Sequence, residues 1–306
     1  FIPLYAEYEE KKDDLQTREF LNAITGTLIF TLFIFTLVVL TFAPIFIFLF
    51  APGFYFDPIK QDISVQVLRI MFPYLALISL VALAGGIQNT HQKFSLPALT
   101  PVIFNLSLIV AALFIAPKYD MPIYVLAWSV LLAGLLQLVI QIAPLRSIKR
   151  LPTPKINFNN KGIKKFFVVI FPAILAGGII QINLLVDTIF ASLLETGSPT
   201  WLYVSDRLVQ FPLGIFAIAI GTVLLPTLSK LDVIKERAIF NNTIKKGQKF
   251  VLFIGIPSLI GLIFCAEDLI STIFYRGAFT EVDVFKSSLS LIAVSYTHLT
   301  LPTTGI

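Results

Sequence analysis

Long uninterrupted apolar runs constrain this chain more than any other feature. They lie at roughly 20–50, 70–88, 98–117, 122–145, 166–194, 201–228 and 248–266, and another begins near residue 285. A helix of about 20 apolar residues crosses the hydrocarbon core of a bilayer. Barrel strands would alternate in polarity, and these runs do not. The expected fold class is therefore all-α: a polytopic membrane helix bundle with about seven complete spans and part of another. Composition agrees. Of 306 residues 57% are hydrophobic and 13% charged, and the mean hydropathy is +0.87, too little polar surface for a water-soluble domain. The runs are too many and too long for a signal peptide. The opening FIPLYAEYEE does not start with Met and reads as the end of an earlier helix, so a preceding part is expected. The single cysteine, Cys265, excludes an internal disulfide and a cysteine metal site. It sits in an apolar run, where a buried thiol is expected.

Connections are short and marked by Pro, Gly and Asn: APGFYFDP, NTHQKFSLP, APKYDMP and ETGSPT. Two of the longer ones are basic. One holds Arg146, Lys149, Arg150, Lys155, Lys161, Lys164 and Lys165; the other holds Lys230, Lys235, Arg237, Lys245, Lys246 and Lys249. Two spans separate them, so both face one side, which the positive-inside rule makes the cytoplasm. Contact with anionic lipid headgroups accounts for such loops, and nucleic-acid binding is not expected. EYEEKKDDLQTR is mixed in charge and decides nothing alone. KLDVIKERAIFNNTIKKGQKF and PIKQDISVQVLRI read as connectors lying in the membrane interface.

Prolines fall inside spans at Pro73, Pro172, Pro212 and Pro257, and Phe-Pro recurs at 72–73, 171–172 and 211–212. Each removes a backbone hydrogen bond and kinks its helix. Packing kinks and repeated transporter units both fit. Pro212 and Gly214, in YVSDRLVQFPLGIFAIAIGTVLLP, are hinge candidates.

Charge inside a span marks function first. Arg207 lies about six residues inside Trp201, or about 9 Å by helical rise, where an arginine costs roughly 2.5–3.5 kcal/mol at a span centre. It can line a water-filled cavity and grip an anion, because its fork matches phosphate oxygens in pairs. It can also snorkel to the headgroups. An ion pair with Asp206 is disfavoured, since adjacent helix residues point apart. Asp187 lies in QINLLVDTIFASLL with Gln181, Asn183 and Thr188. Asn183 and Asp187, one turn apart, offer oxygens to a small cation such as sodium; hydrogen bonding between helices explains them equally well. His91 and Lys93 read as surface loop residues. No hydrolytic constellation, phosphate-binding glycine loop or metal-ligand spacing occurs, so moving a substrate is expected rather than reacting it.

The segment SDRLVQFPLGIFAIAIGTVLLPTLSK resembles the corresponding helix of MurJ-type (MviN) lipid II flippases, in the multidrug/oligosaccharidyl-lipid/polysaccharide exporter superfamily. The likeness continues through FIPLYAEYEEKK, APGF, MFPYLALISLVALAGGIQNTHQKFSLPALTPVIFNLS, LAWSVLLAGLLQLVIQ and FPAILAGGIIQINLLVDTIFAS, in order, to about residue 293. The resemblance implies fourteen helices in two lobes around a cavity, and transfer of a lipid-linked peptidoglycan precursor across the bacterial cytoplasmic membrane by alternating access. It implies helices three to six over 1–145, a basic cytoplasmic linker over 146–165, and helices seven to nine with part of ten over 166–293. Arg207 matches the family's cavity arginine in helix eight, and Asp187 a helix-seven sodium ligand of some members. The resemblance places the family's other cavity arginines in helices one and two, and its remaining sodium ligands later than the end of this sequence. Gln210 stands where relatives often have an acid, so that carboxylate's role does not carry over. Three alternatives remain: a polysaccharide-precursor flippase, a drug/cation antiporter, and a membrane scaffold with no substrate. An antiporter would want acids where this chain has Arg207.

The tail VSYTHLTLPTTGI brings threonines and Pro302 where the tenth helix would continue with apolar residues, so that helix is expected to be cut short. Its codons can be read as the end of a transposon-type sequencing adapter, so residues 294–306 are expected to be foreign to the gene, and His298 is given no function.

Overall fold

A computed structural model describes residues 1–212, 214 and 237–304. These form helices joined by short irregular connections, with no strand among the described residues. The chain forms two compact units, residues 1–193 and 194–306. The first unit therefore keeps the long helix after the basic stretch 146–165, where the sequence puts a boundary between lobes.

The first unit contains α1 (Ile2–Lys11), α2 (Asp14–Thr41), α3 (Ala43–Phe50), α4 (Pro52–Tyr55), α5 (Pro58–Met71), α6 (Tyr74–Thr90), α7 (Ser95–Val110), α8 (Pro122–Ser147) and α9 (Lys161–Leu193). The N-terminal FIPLYAEYEE is helical, as expected. Asp13 caps α2 by accepting from the Gln16 backbone N–H at 2.7 Å. The run expected as one span over 20–50 breaks at Phe42, where the backbone turns and α3 starts with Pro44 in its first turn. PIKQDISVQVLRI is no interfacial connector. It forms α5, capped by Asp57, and continues through Phe72–Pro73 into α6 as a single membrane-length stretch, Pro58–Thr90. Pro73 bends this stretch rather than ending it, and α5 gains its packing from α8.

Pro101 sits inside α7. It donates no hydrogen bond to the Pro97 carbonyl, and the Thr100 hydroxyl takes that acceptor at 2.8 Å. The next turn, Ala111–Ile115, is π-helical. A buried polar seam joins α6, α7 and α8: Gln88 bonds Gln141, and Gln137 donates to the Thr100 carbonyl at 2.7 Å. Paired amides like these hold helices together where lipid offers no hydrophobic drive.

Among the described residues the second unit contains α10 (Ser198–Pro212), α11 (Arg237–Phe264), α12 (Ala266–Phe274) and α13 (Glu281–Thr304), the last running on through Pro302 where the sequence expects a helix cut short. Its core is Val204, Val209, Leu262, Ala266, Ile270, Val284 and Leu291. From Arg237 onward the segment expected as an interfacial connector is continuous with the span that follows it, as α11. Cys265 is exposed, not buried, because it sits at the break between α11 and α12 as the N-cap of α12.

Among the described residues, five stretches are long and apolar enough to cross a membrane: Asp14–Thr41, Pro58–Thr90, Ser95–Lys118, Pro122–Ser147 and Arg237–Phe264. The 33-residue α9 carries a sixth apolar stretch at Gln181–Leu193. The expected span 201–228 lies largely outside the described residues. Large apolar side chains such as Phe33, Leu113, Phe114 and Val139 are exposed on these helices, which suits lipid as solvent and not water.

Candidate functional site

Arg207 lies on α10, whose buried face is Trp201, Val204, Ser205 and Val209. That face is bolted to α13. The Trp201 indole N–H donates to Asp283 at 2.7 Å, and the Ser205 hydroxyl donates to the Ser287 carbonyl at 2.9 Å. Lys286 stands over the Trp201 ring and pairs with Glu195 at 2.5 Å. One helical face thus fixes α10, and the opposite face presents Tyr203, Arg207 and Gln210, all exposed.

The Arg207 guanidinium carbon lies 4.8 Å from the centre of the Tyr203 ring, within cation–π range. Among the described residues no carboxylate pairs with it. Asp206 is engaged instead by the Gln210 amide at 2.5 Å, as the angle between adjacent helix residues requires. A guanidinium resting against a ring face keeps its in-plane N–H donors for oxygen acceptors. Tyr203 was missed in the sequence; its spacing of four residues before an arginine was the available signal.

Asn183 and Asp187 lie one turn apart on α9, both exposed, as are Gln181 and Thr188. The Thr188 hydroxyl turns back to the Leu184 carbonyl at 2.7 Å. Asn183 and Asp187 suit a small cation in donor type, but they supply only part of a shell. No group of three or more His, Cys, Asp or Glu side chains gathers among the described residues. Arg207 and Asp187 belong to different units. Pro212 ends α10, and a side chain at Gly214 would meet open space; Leu213, Gly221 and the rest of that run lie outside the described residues.

Sequence reasoning passed over a second charged cluster, at one end of the first unit. Glu9 accepts from the Tyr5 hydroxyl at 2.5 Å and from Arg150 at 2.5 and 3.0 Å. Arg150 also bonds Asp14. His91 is no free loop residue: its Nε2 lies 3.0 Å from the Tyr5 hydroxyl and 3.3 Å from Glu9. Burial pushes the Glu9 carboxyl up, but the hydrogen bond and charge of Arg150, with the Tyr5 hydroxyl, outweigh it and hold Glu9 below the usual carboxylate range. Glu9 and Asp14 were masked by the mixed charge of EYEEKKDD, and Arg150 by counting it only as a topology signal.

The sequence profile of the family described as "Lipid II flippase MurJ" matches residues 1–301. The chain belongs to that family. It is 38% identical over 306 residues to a probable lipid II flippase MurJ of Haemophilus influenzae, covering 96% of this chain and 60% of the relative. Similarity to the probable lipid II flippase MurJ of Vibrio cholerae is 38% over 302 residues, covering 96% and 58%. To the lipid II flippase MurJ of Burkholderia cenocepacia it is 34% over 283 residues, covering 91% and 55%. A solved structure, lipid II flippase MurJ in an inward closed conformation, matches with a TM-score of 0.79 at 27% identity, over 97% of this chain and 63% of that one. The chain thus spans about three fifths of the length of these MurJ relatives, and the all-helical membrane fold read from its apolar runs is that of the MurJ family.

Proposed function

We propose that this chain is the greater part of a lipid II flippase, which carries a lipid-linked peptidoglycan precursor across the bacterial cytoplasmic membrane. The observation that carries the reading is the family match from residue 1 to 301. Arg207 fits it chemically: an exposed guanidinium with free in-plane donors is suited to a diphosphate. The work is translocation and not bond breaking, so no catalytic group is assigned. The partners are the lipid-linked precursor and the surrounding membrane lipids; nucleic acid is not among them. The basic stretches 146–165 and 230–249 face the cytoplasm in this reading. Sodium would be held by Asp187 with Asn183, its remaining ligands coming from outside this chain's described residues.

The test is complementation of a flippase-depleted strain with the full-length protein. Arg207→Ala is expected to abolish growth while the protein still reaches the membrane. Arg207→Lys keeps the charge but loses the fork, and partial growth is expected. Normal growth with alanine would remove Arg207 from substrate binding.

A further inference from the structure

The segment from Arg150 to Lys165 has the composition of a free linker but is fastened to α1 and α2 at each step. Arg150 is clamped between Glu9 of α1 and Asp14 of α2. The Thr153 backbone N–H donates to the Asn22 side chain at 2.7 Å, and the Lys155 N–H to the Asn22 carbonyl at 3.0 Å. Gly26, one turn on, has no Cβ; one placed there would collide with the Lys155 backbone. Phe158 meets Phe30 edge to face. Asn160 then caps α9 by accepting from the Gly162 N–H at 2.8 Å, and Ile163 is buried in the core formed with Phe20 and Tyr5. Lys165 pairs with Glu7 at 2.6 Å.

Beyond this foot, α9 stands away from its neighbours. An apolar cavity of about 1250 Å³ lies between its Phe166–Ile174 stretch and α1, α2 and α6. Its far end returns to the unit where the Gly53 N–H meets the Ser192 hydroxyl at 3.2 Å. The fastened foot runs directly into that cavity's wall, which begins on α9 at Phe166. The ties differ in exposure: the Lys165 and Asp14 side chains are 52% and 60% exposed, Arg150 and Glu9 only 13% and 17%. The exposed Lys165–Glu7 pair contributes little individually and can part into water, whereas Arg150 and Glu9 can separate only where both charges regain solvent.

We propose that residues 150–165 form a releasable latch, which holds the foot of α9 on α1 and α2 and lets go during each transport cycle. The proposal rests on the transport reading above. The test places Glu7→Cys and Lys165→Cys together in full-length protein free of other thiols, bridged by a reducible thiol cross-linker. The cross-linked protein is expected to lose lipid II flipping in liposomes at least tenfold and to recover it on reduction. Undiminished flipping when cross-linked would overturn the latch. Absence of flipping in the reduced protein would count against the flippase reading instead. A second readout needs no substrate. Ile163→Cys, in the same background, is expected to react with a water-soluble maleimide several-fold faster when Glu9→Gln and Asp14→Asn are added. An unchanged rate would overturn the latch independently of transport.

Discussion

Glu9 is where single-residue chemistry is sharpest. Its carboxyl is held low by Arg150 and Tyr5, so the sign of its pH dependence is fixed. The stabilisation is fully present above the ordinary carboxylate range and is lost as pH falls through the depressed folded value. Melting in detergent should therefore show a midpoint that drops on acidification, and Glu9→Gln should flatten that drop. At neutral pH the same substitution leaves Arg150 with Asp14 as its carboxylate partner and should cost about 1–3 kcal/mol. Gln92 offers a gain. It holds φ +58° at the end of α6, where the Lys93 N–H reaches back to the Gln88 carbonyl at 2.9 Å. Left-handed backbone at a helix end favours glycine, so Gln92→Gly is expected to raise the midpoint, by on the order of 1 kcal/mol. Sequence alone singles out Arg207 and Asp187 as candidates, because charge within an apolar run stands out. It could not locate Glu9, Tyr5 and His91 as a group, since residues 86 positions apart meet only through the packing of α1 on α6.

At the scale of elements, close approaches of backbone are the features that composition hides. Gly53 lies under the end of α9, and a Cβ there would fall inside the Ser192 carbonyl. Gly85, in the middle of α6, has room: its nearest neighbour would be the Pro97 Cβ at 3.5 Å. Gly53→Ala should thus lower the melting midpoint by the equivalent of about 1–3 kcal/mol, and Gly85→Ala should leave it nearly unchanged. Equal effects would mean that α4 does not dock on α9 as described. Helix existence was legible in the apolar runs, but helix extent was not. α5 was read as a connector because Lys60, Gln61, Asp62, Gln66 and Arg69 dilute its apolar residues. Its neighbour α8 supplies the partner face that a one-dimensional hydropathy reading lacks. The break at Phe42 was invisible for the opposite reason, since both of its sides are equally apolar.

Across the whole molecule, charges carried inside the membrane and the coupling ion belong together. We propose sodium at Asp187, so Asp187→Asn in the full-length protein should reduce the rise in melting temperature on exchanging potassium for sodium. An unaltered rise would leave Asp187 to helix packing. This chain spans about three fifths of its relatives, so the full-length protein is the one to measure. The division after Leu193 was not legible in sequence. The stretch 146–165 reads in sequence as a basic cytoplasmic linker, and hydrogen bonds from Thr153 and Lys155 to Asn22 tie it to α2 within the first unit.

Those bonds also bear on how the protein can be handled. A polar stretch between membrane helices is the habitual place for an epitope tag or a circularly permuted terminus, because exposed loop tips tolerate insertion. Here the side chains of 151–159 are outward but the backbone is occupied. A short epitope placed between Thr153 and Lys155 would pull apart two hydrogen bonds on Asn22 and should depress the yield of folded protein in the membrane. The same epitope at Tyr119–Met121, where the chain is exposed between α7 and α8, should be carried without loss.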